Sequence, residues 1–203
     1  MKTYEKLNSN TRQVQIVQAS LKIISSKGVS KFTTAEIAKE VGISEAAIFK
    51  YFRNKHEILY SALEFIQQSL LGKAHEIANE TAADPRQKLA KLLRFHLSLI
   101  EQSYGIPQLI FSEQLHMGDE NLRKRIAGTI ESYLDILKNI FRQILDNNSR
   151  LVDVDFEMLA TAFLGLIQVN LLRWSLSDCE YSLQDEFEKM WGFIEKNLLG
   201  PTG

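Results

Sequence analysis

Residues 33–55 read TTAEIAKEVGISEAAIFKYFRNK, and this stretch decides the fold. Thr33 stands three residues before Glu36, the spacing of a capping box, in which a hydroxyl and a carboxylate satisfy free N–H groups of a first helical turn. The helix so opened ends at Gly42, since glycine reaches the positive φ that a sharp turn requires. Ser44 is a good N-cap and starts a further helix carrying Glu45 to Phe52. Counting Thr34 as one, Ala38 falls at five, Gly42 at nine and Ile48 at fifteen. That spacing predicts a helix-turn-helix over about residues 34–53, with Ala38 small where the second helix crosses it. Ile37, Val41, Ile43 and Ile48 give its inner faces something to bury.

The same helical period extends in both directions. Upstream, Val14, Val17, Leu21 and Ile24 recur at spacings of three and four, which predicts a helix from about Thr11 to Lys27 closed by Gly28. Downstream, Asn54-Lys55-His56-Glu57 repeats the capping-box pattern and opens a long helix to about Glu80. Further helices are predicted at about 86–102, 107–117, 120–147, 154–176 and 183–199. Asp84-Pro85, Gly105-Ile106-Pro107, Gly118-Asp119 and Asn147-Asn148-Ser149 break the pattern, Ser182 can cap the last helix, and Gly200-Pro201 ends it. With 3 Pro in 203 residues and little period-two alternation, the expectation is an all-α chain of about nine helices. It divides into an N-terminal three-helix helix-turn-helix domain, 1–54, and a C-terminal helical domain, 55–203, which begins with a connecting helix at 55–80.

Composition limits the possible functions. A chain 45% hydrophobic with a single cysteine, Cys179, is neither disordered nor disulfide-stapled. The start, MKTYEKLNSNTRQ, lacks the apolar core of a signal peptide, and the longest charge-free run, Met158–Leu172, is shorter than a ~20-residue membrane span. A soluble, cytoplasmic protein without a membrane partner is expected. The net charge of −1 conceals an asymmetry: residues 1–57 hold ten Lys/Arg against five Glu, a net +5, which leaves −6 on the rest. A basic end on an acidic body points to a polyanion meeting one part only. The chain has no Gly-rich phosphate loop, G-x-S-x-G or H-E-x-x-H, and its four histidines are scattered, so no enzyme, cofactor or metal site is expected.

If Ile48 and Phe52 face inward with Tyr51 beside them, Glu45, Ala46, Phe49 and Lys50 face out. Small Ala46 and Ala47 permit close approach to a major groove, Phe49 suits a thymine methyl or sugar, and Lys50 reaches a phosphate. Glu45 can accept from a cytosine amino group, although it opposes phosphates. Lys55 sits in a first helical turn whose amides favour an anion, and Thr33 or Thr34 heads the preceding helix in a similar way. The expected DNA-binding set is therefore Thr33, Thr34, Ser44, Glu45, Ala46, Ala47, Phe49, Lys50, Tyr51 and Lys55. The alternative is that Phe49 packs on a neighbouring helix and the charges are merely solvated.

TTAEIAKEVGISEAAIFKYFRNKHEIL resembles the DNA-binding domain of the TetR/AcrR family of bacterial transcriptional regulators, over roughly residues 11–70. The family's motif ends in an aromatic-x-Tyr-Phe-x-x-Lys run, here Phe49-Lys50-Tyr51-Phe52-Arg53-Asn54-Lys55. Phe49 replaces a frequent Tyr, and Ala46 a frequent Gly.

For the body, the helix at 154–176 is apolar nearly all round and must be buried nearly all round. Pairing of the last two helices with a second copy would provide that burial, and the resemblance implies the same arrangement. The interface residues expected are Leu159, Phe163, Leu166, Ile167, Phe187, Trp191, Ile194 and Leu198. The resemblance also implies an effector pocket, for which Phe95, His96, Tyr104, Phe111, His116, Tyr133, Gln168 and Trp174 are candidates. The expected partners are thus double-stranded DNA, a second copy of the chain and a small hydrophobic effector. The expected function is a ligand-responsive regulator, a repressor released from a palindromic operator. The alternatives are an effector-independent architectural or cell-division control protein on DNA, or an enzyme or carrier with a vestigial helix-turn-helix.

Overall fold

The computed structural model describes residues 9–28, 31–102, 120–145 and 154–200, and among these it is all helix and connecting turn, with no strand. The helices are α1 (Ser9–Lys27), α2 (Thr34–Val41), α3 (Glu45–Ile48), α4 (Lys55–Ala78), α5 (Pro85–Gln102), α6 (Glu120–Leu145), α7 (Phe156–Leu176) and α8 (Phe187–Asn197), with a 3-10 turn at Leu183–Glu186 before α8. The helix expected at 107–117 lies outside the described residues.

Two expected helices end differently. The third stops at Ile48 rather than Phe52, because Lys50 and Tyr51 donate backbone N–H groups to Ala47 and Ile48 at 3.3 and 2.9 Å, the tighter three-residue pattern. The last is split, since the Ser182 hydroxyl accepts from Gln184 N–H and tightens 183–186 before the α-helix proper begins.

The chain divides into two compact units. Among the described residues, one holds everything up to Ile66 with Glu120–Leu122, and the other holds Gln67–Gln102 and everything from Arg123 onward. The division falls inside α4, not at the expected 54/55 boundary, because α4 is one uninterrupted helix that serves both cores. In the first unit Ile16, Ile24, Phe32, Ile37, Ile48, Phe52 and Ile58 are buried, while Val14 at the start of the α1 pattern stays exposed. In the second, α5, α6, α7 and α8 share one core around Leu93, Leu137, Phe141, Phe163, Ile167 and Trp174. Taken whole, α7 has 21 residues and is long and apolar enough to cross a bilayer; one side of it enters this core through Phe163, Ile167, Leu171 and Trp174. Lys88 is buried and places its ammonium 2.9 Å from the Ala78 carbonyl, closing the C-terminal end of α4 with a cation where the helix dipole favours one.

Candidate nucleic-acid interface

Caps set the geometry of α2 and α3. Thr33 is extended, and its hydroxyl accepts the Glu36 N–H at 3.2 Å. The expected return bond of the capping box is replaced by an ion pair of Glu36 with Lys27 of α1. Lys22 similarly holds Glu40, so two of the N-terminal cations tie α1 to α2. Hydrogen bonds from these lysines, and then their charge, hold both carboxyls below the ordinary range. Gly42 adopts φ 76°, and its N–H and that of Ile43 both reach the Ala38 carbonyl at 2.9 Å, which ends α2 and turns the chain. Ser44 caps α3 by accepting from Ala47 N–H at 3.2 Å.

With Ile48 and Phe52 in the core, Ser44, Glu45, Ala46, Phe49 and Lys50 are exposed together, and Ala47 and Tyr51 are half-buried beside them. Phe49 keeps 50% of its surface in water, a large apolar group on an otherwise polar face. Lys55 is exposed at the start of the long α4, whose first turn is closed by Asn54 accepting from Glu57 N–H at 3.0 Å. Thr33 is exposed and already caps, which still leaves its hydroxyl proton for a phosphate. Thr34 has a partner that sequence spacing did not suggest: its hydroxyl donates to the Glu45 carboxylate at the head of α3.

The expected effector residues do not form one site. His96 and Tyr133 meet in the core of the second unit, with Nδ1 3.3 Å from the phenol oxygen and the rings edge to face. Burial pushes His96 down to about 4, so its imidazole is neutral at physiological pH, and it raises the Tyr133 phenol. Trp174 is buried, and its indole N–H donates to the Tyr181 carbonyl at 2.6 Å. Gln168 is half-buried on α7. Phe95 points elsewhere, into an open groove of about 800 Å³ shared with Ile77, Arg94, Phe187 and Trp191. There the Arg94 guanidinium lies 3.7 Å from the centre of the Phe187 ring. A second groove, of about 500 Å³, is lined by His75, Asn79, Asp135 and Arg142 together with Ile136 and Ile140. Tyr104, Phe111 and His116 lie outside the described residues. Among the described residues no group of three or more His, Cys, Asp or Glu is placed to hold a metal ion.

The expected interface residues need correction. Phe163, Ile167, Phe187 and Ile194 are buried in the chain's own core, and Leu159, Leu166, Trp191 and Leu198 pack against it, so the first four have no surface left for a partner. The apolar side chains that α7 does expose are Met158 at 62%, Val169 at 58%, Leu172 at 40% and Leu176 at 77%. With Ala162 and Gly165 they recur every three or four residues along one stripe, and Phe193 of α8 is exposed at 51%. The alternation was present in the sequence, but it ran beside an equally apolar inner stripe.

Known proteins give this arrangement its context. Residues 16–62 match the family described as bacterial regulatory proteins, tetR family, and residues 66–197 match the C-terminal region of YsiA-like proteins. The chain is 28% identical over 190 residues to the nucleoid occlusion factor SlmA of Vibrio vulnificus strain YJ016, covering 93% of this chain and 96% of that one. It is 29% identical over 188 residues to SlmA of Vibrio cholerae, covering 92% and 95%. Among solved structures it resembles the fatty acid degradation regulator FadR from Bacillus halodurans, with TM-score 0.79, 21% identity and coverage of 96% and 98%. FadR from Bacillus subtilis, solved in complex with stearoyl-CoA, gives TM-score 0.75, 23% identity and coverage of 93% and 99%.

Proposed function

Since the chain belongs to the TetR family of bacterial regulatory proteins, we propose that it is a homodimeric repressor released from a palindromic operator by a small hydrophobic effector. It is a DNA-binding regulator and not an enzyme. The observation that carries the reading is the exposed face of Glu45, Ala46, Phe49 and Lys50 on a capped helix-turn-helix, with Lys55 at a helix start beside it. Base edges meet α3, and phosphates meet Lys50, Lys55 and the Thr33 hydroxyl.

One α3 reads one half-site, so a palindrome calls for two copies about 34 Å apart along the duplex. The second copy covers the exposed stripe of α7 and Phe193 of α8. Ala162 and Gly165 let the two α7 helices approach closely there.

The effector contacts the second unit in the open groove of about 800 Å³, where Phe95, Phe187 and Trp191 supply apolar walls and Arg94 a polar tip. α4 is the lever, because one helix contributes to both cores. An effector that inverts a 1:99 population must favour the released state by about 5.5 kcal/mol. Stearoyl-CoA, bound by the FadR neighbour, is the first compound to test.

A second reading is favoured by the likeness to the nucleoid occlusion factors over nearly the whole chain. On that reading the protein binds DNA at many sites without an effector.

The test selects binding sites from random duplex DNA across a salt series, then adds stearoyl-CoA and related hydrophobic ligands. A palindromic consensus, a steep fall of log affinity with log salt and release by a ligand support the repressor. Undiminished affinity across the ligand panel, with spreading along DNA, replaces it with the second reading. No binding at low salt removes both.

A further inference from the structure

We propose that Thr34 positions the Glu45 carboxylate to read a cytosine in each operator half-site, and that the Thr34 hydroxyl is not itself a phosphate contact. The inference rests on the DNA-reading role assigned above and names what that face selects.

Glu45 stands out chemically. It is exposed in the first turn of α3, on the face that meets a polyanion, within a segment whose net charge is +5. A carboxylate there opposes binding to every sequence alike, so it contributes only where a base offers it a donor. The structure also holds it in place. The Thr34 hydroxyl, from the first residue of α2, donates to Glu45 Oε1 at 2.5 Å. A hydroxyl-to-carboxylate bond is charge-assisted and roughly twice as strong as a neutral one. It fixes a long side chain whose rotamer freedom would otherwise be lost on binding.

That bond consumes the one proton the Thr34 hydroxyl has. A phosphate offers only acceptors, so the Thr34 hydroxyl makes no phosphate contact while it holds Glu45. Thr33 differs, because its hydroxyl accepts in capping and keeps its proton.

The anchored carboxylate still has Oε2 and the rest of Oε1 as acceptors, and no donor. In the major groove guanine shows O6 and N7, and thymine shows O4, all of which repel it. Adenine offers its N6 amino group, but N7 lies beside it and faces the second carboxylate oxygen. Cytosine offers its N4 amino group without a neighbouring acceptor on that edge. Of the four bases, cytosine alone suits a fixed carboxylate. Ala46 next to it carries no bulk that would hold the helix off the groove.

The test compares wild type, Thr34→Val and Glu45→Gln by selection from random duplex DNA and by equilibrium binding across a salt series. Wild type is expected to require one cytosine per half-site, and exchange of that C·G pair for T·A should weaken binding about tenfold. Thr34→Val, which keeps the shape and removes the donor, should bring that discrimination down to about two- to threefold with the salt slope unchanged. Glu45→Gln should move the preference at that position toward adenine, which glutamine recognises through N6 and N7. The proposal is overturned if Thr34→Val keeps full discrimination but weakens all sequences alike and lowers the salt slope by about one per subunit, the signature of a lost phosphate contact. It is equally overturned if Glu45→Gln leaves the preferred base unchanged while DNA is still bound. Absence of salt-dependent binding by wild type would remove the DNA-reading role together with this inference, and that failure is distinct from the other two.

Discussion

Val169→Glu tests the proposed pairing of two copies most directly. Val169 lies midway along the exposed stripe of α7, one turn after Gly165, with 58% of its surface in water. Full burial of a valine is worth about 1.5 kcal/mol, so covering the open part contributes about 1 kcal/mol per copy and about 2 kcal/mol per dimer. The substitution removes this contribution and places two unpaired carboxylates in the contact, where desolvation costs about 2 kcal/mol or more for each. The sum, about 6 kcal/mol, weakens the dimer at least 10³-fold. Sedimentation equilibrium should show monomers at micromolar concentration, and operator affinity should fall with the dimer. Phe163→Ala is the control from the inner stripe. Phe163 is fully buried and meets Phe141 edge to face, so its loss costs about 3–5 kcal/mol of chain stability and lowers Tm by about 10 °C, while the folded fraction still dimerises. A Val169→Glu protein with an unchanged dimer constant, or a Phe163→Ala protein that dissociates without melting earlier, would refute the assignment of faces.

Three further outcomes are expected. Gly42→Ala places a Cβ at φ 76° with no atom within 4 Å of it, so only the left-handed backbone penalises it, by about 1 kcal/mol; Tm should fall by about 2–4 °C, and an unchanged melting curve would contradict the turn. His96 has a folded-state pKa near 4, below its usual 6.5, so its contribution is complete above pH 6.5 and is lost as pH falls toward 4, up to about 3 kcal/mol; the urea midpoint should drop between pH 7 and pH 4.5 in wild type and less in His96→Gln, and equal drops would show that other groups set the acid limit. Gly72→Ala lies on α4 at an exposed position with no atom near the new Cβ, and it stiffens that helix by about 0.5–1 kcal/mol; effector sensitivity should change more than operator affinity in gel-shift titrations, and the reverse would remove α4 as the lever.

What the sequence revealed of the fold came from local chemistry. Thr33, Gly42, Ser44 and Asn54 act on backbone groups two to four residues away, so their spacing specified α2, the turn and the start of α4. The end of α3 escaped this reasoning because nothing in Ala-Ile-Phe-Lys-Tyr breaks a helix; three-residue backbone bonds at Lys50 and Tyr51 end it instead. The split before α8 was hidden for the same reason, because Ser182 is a legible cap while the tightness of the turn it starts is not.

The sites divide along the same line. The exposed face of α3 could be read because one buried pair, Ile48 and Phe52, fixes the rotation of a short helix. No such pair fixes α7, where Phe163 and Ile167 are no more apolar than Val169 and Leu172. Which stripe turns inward depends on what α5, α6 and α8 bring against it, and hydropathy along one strand of sequence does not contain that. The small residues were the usable signal: Ala162 and Gly165 lie on the exposed stripe, and small side chains let two helices approach closely. Pairs such as Thr34–Glu45 and His96–Tyr133 lie beyond any local rule, since 11 and 37 residues separate the partners and only packing brings them together. A polar residue's role in this chain thus follows from the partner packing gives it, and Thr33 and Thr34, adjacent and chemically identical, part company on that ground alone.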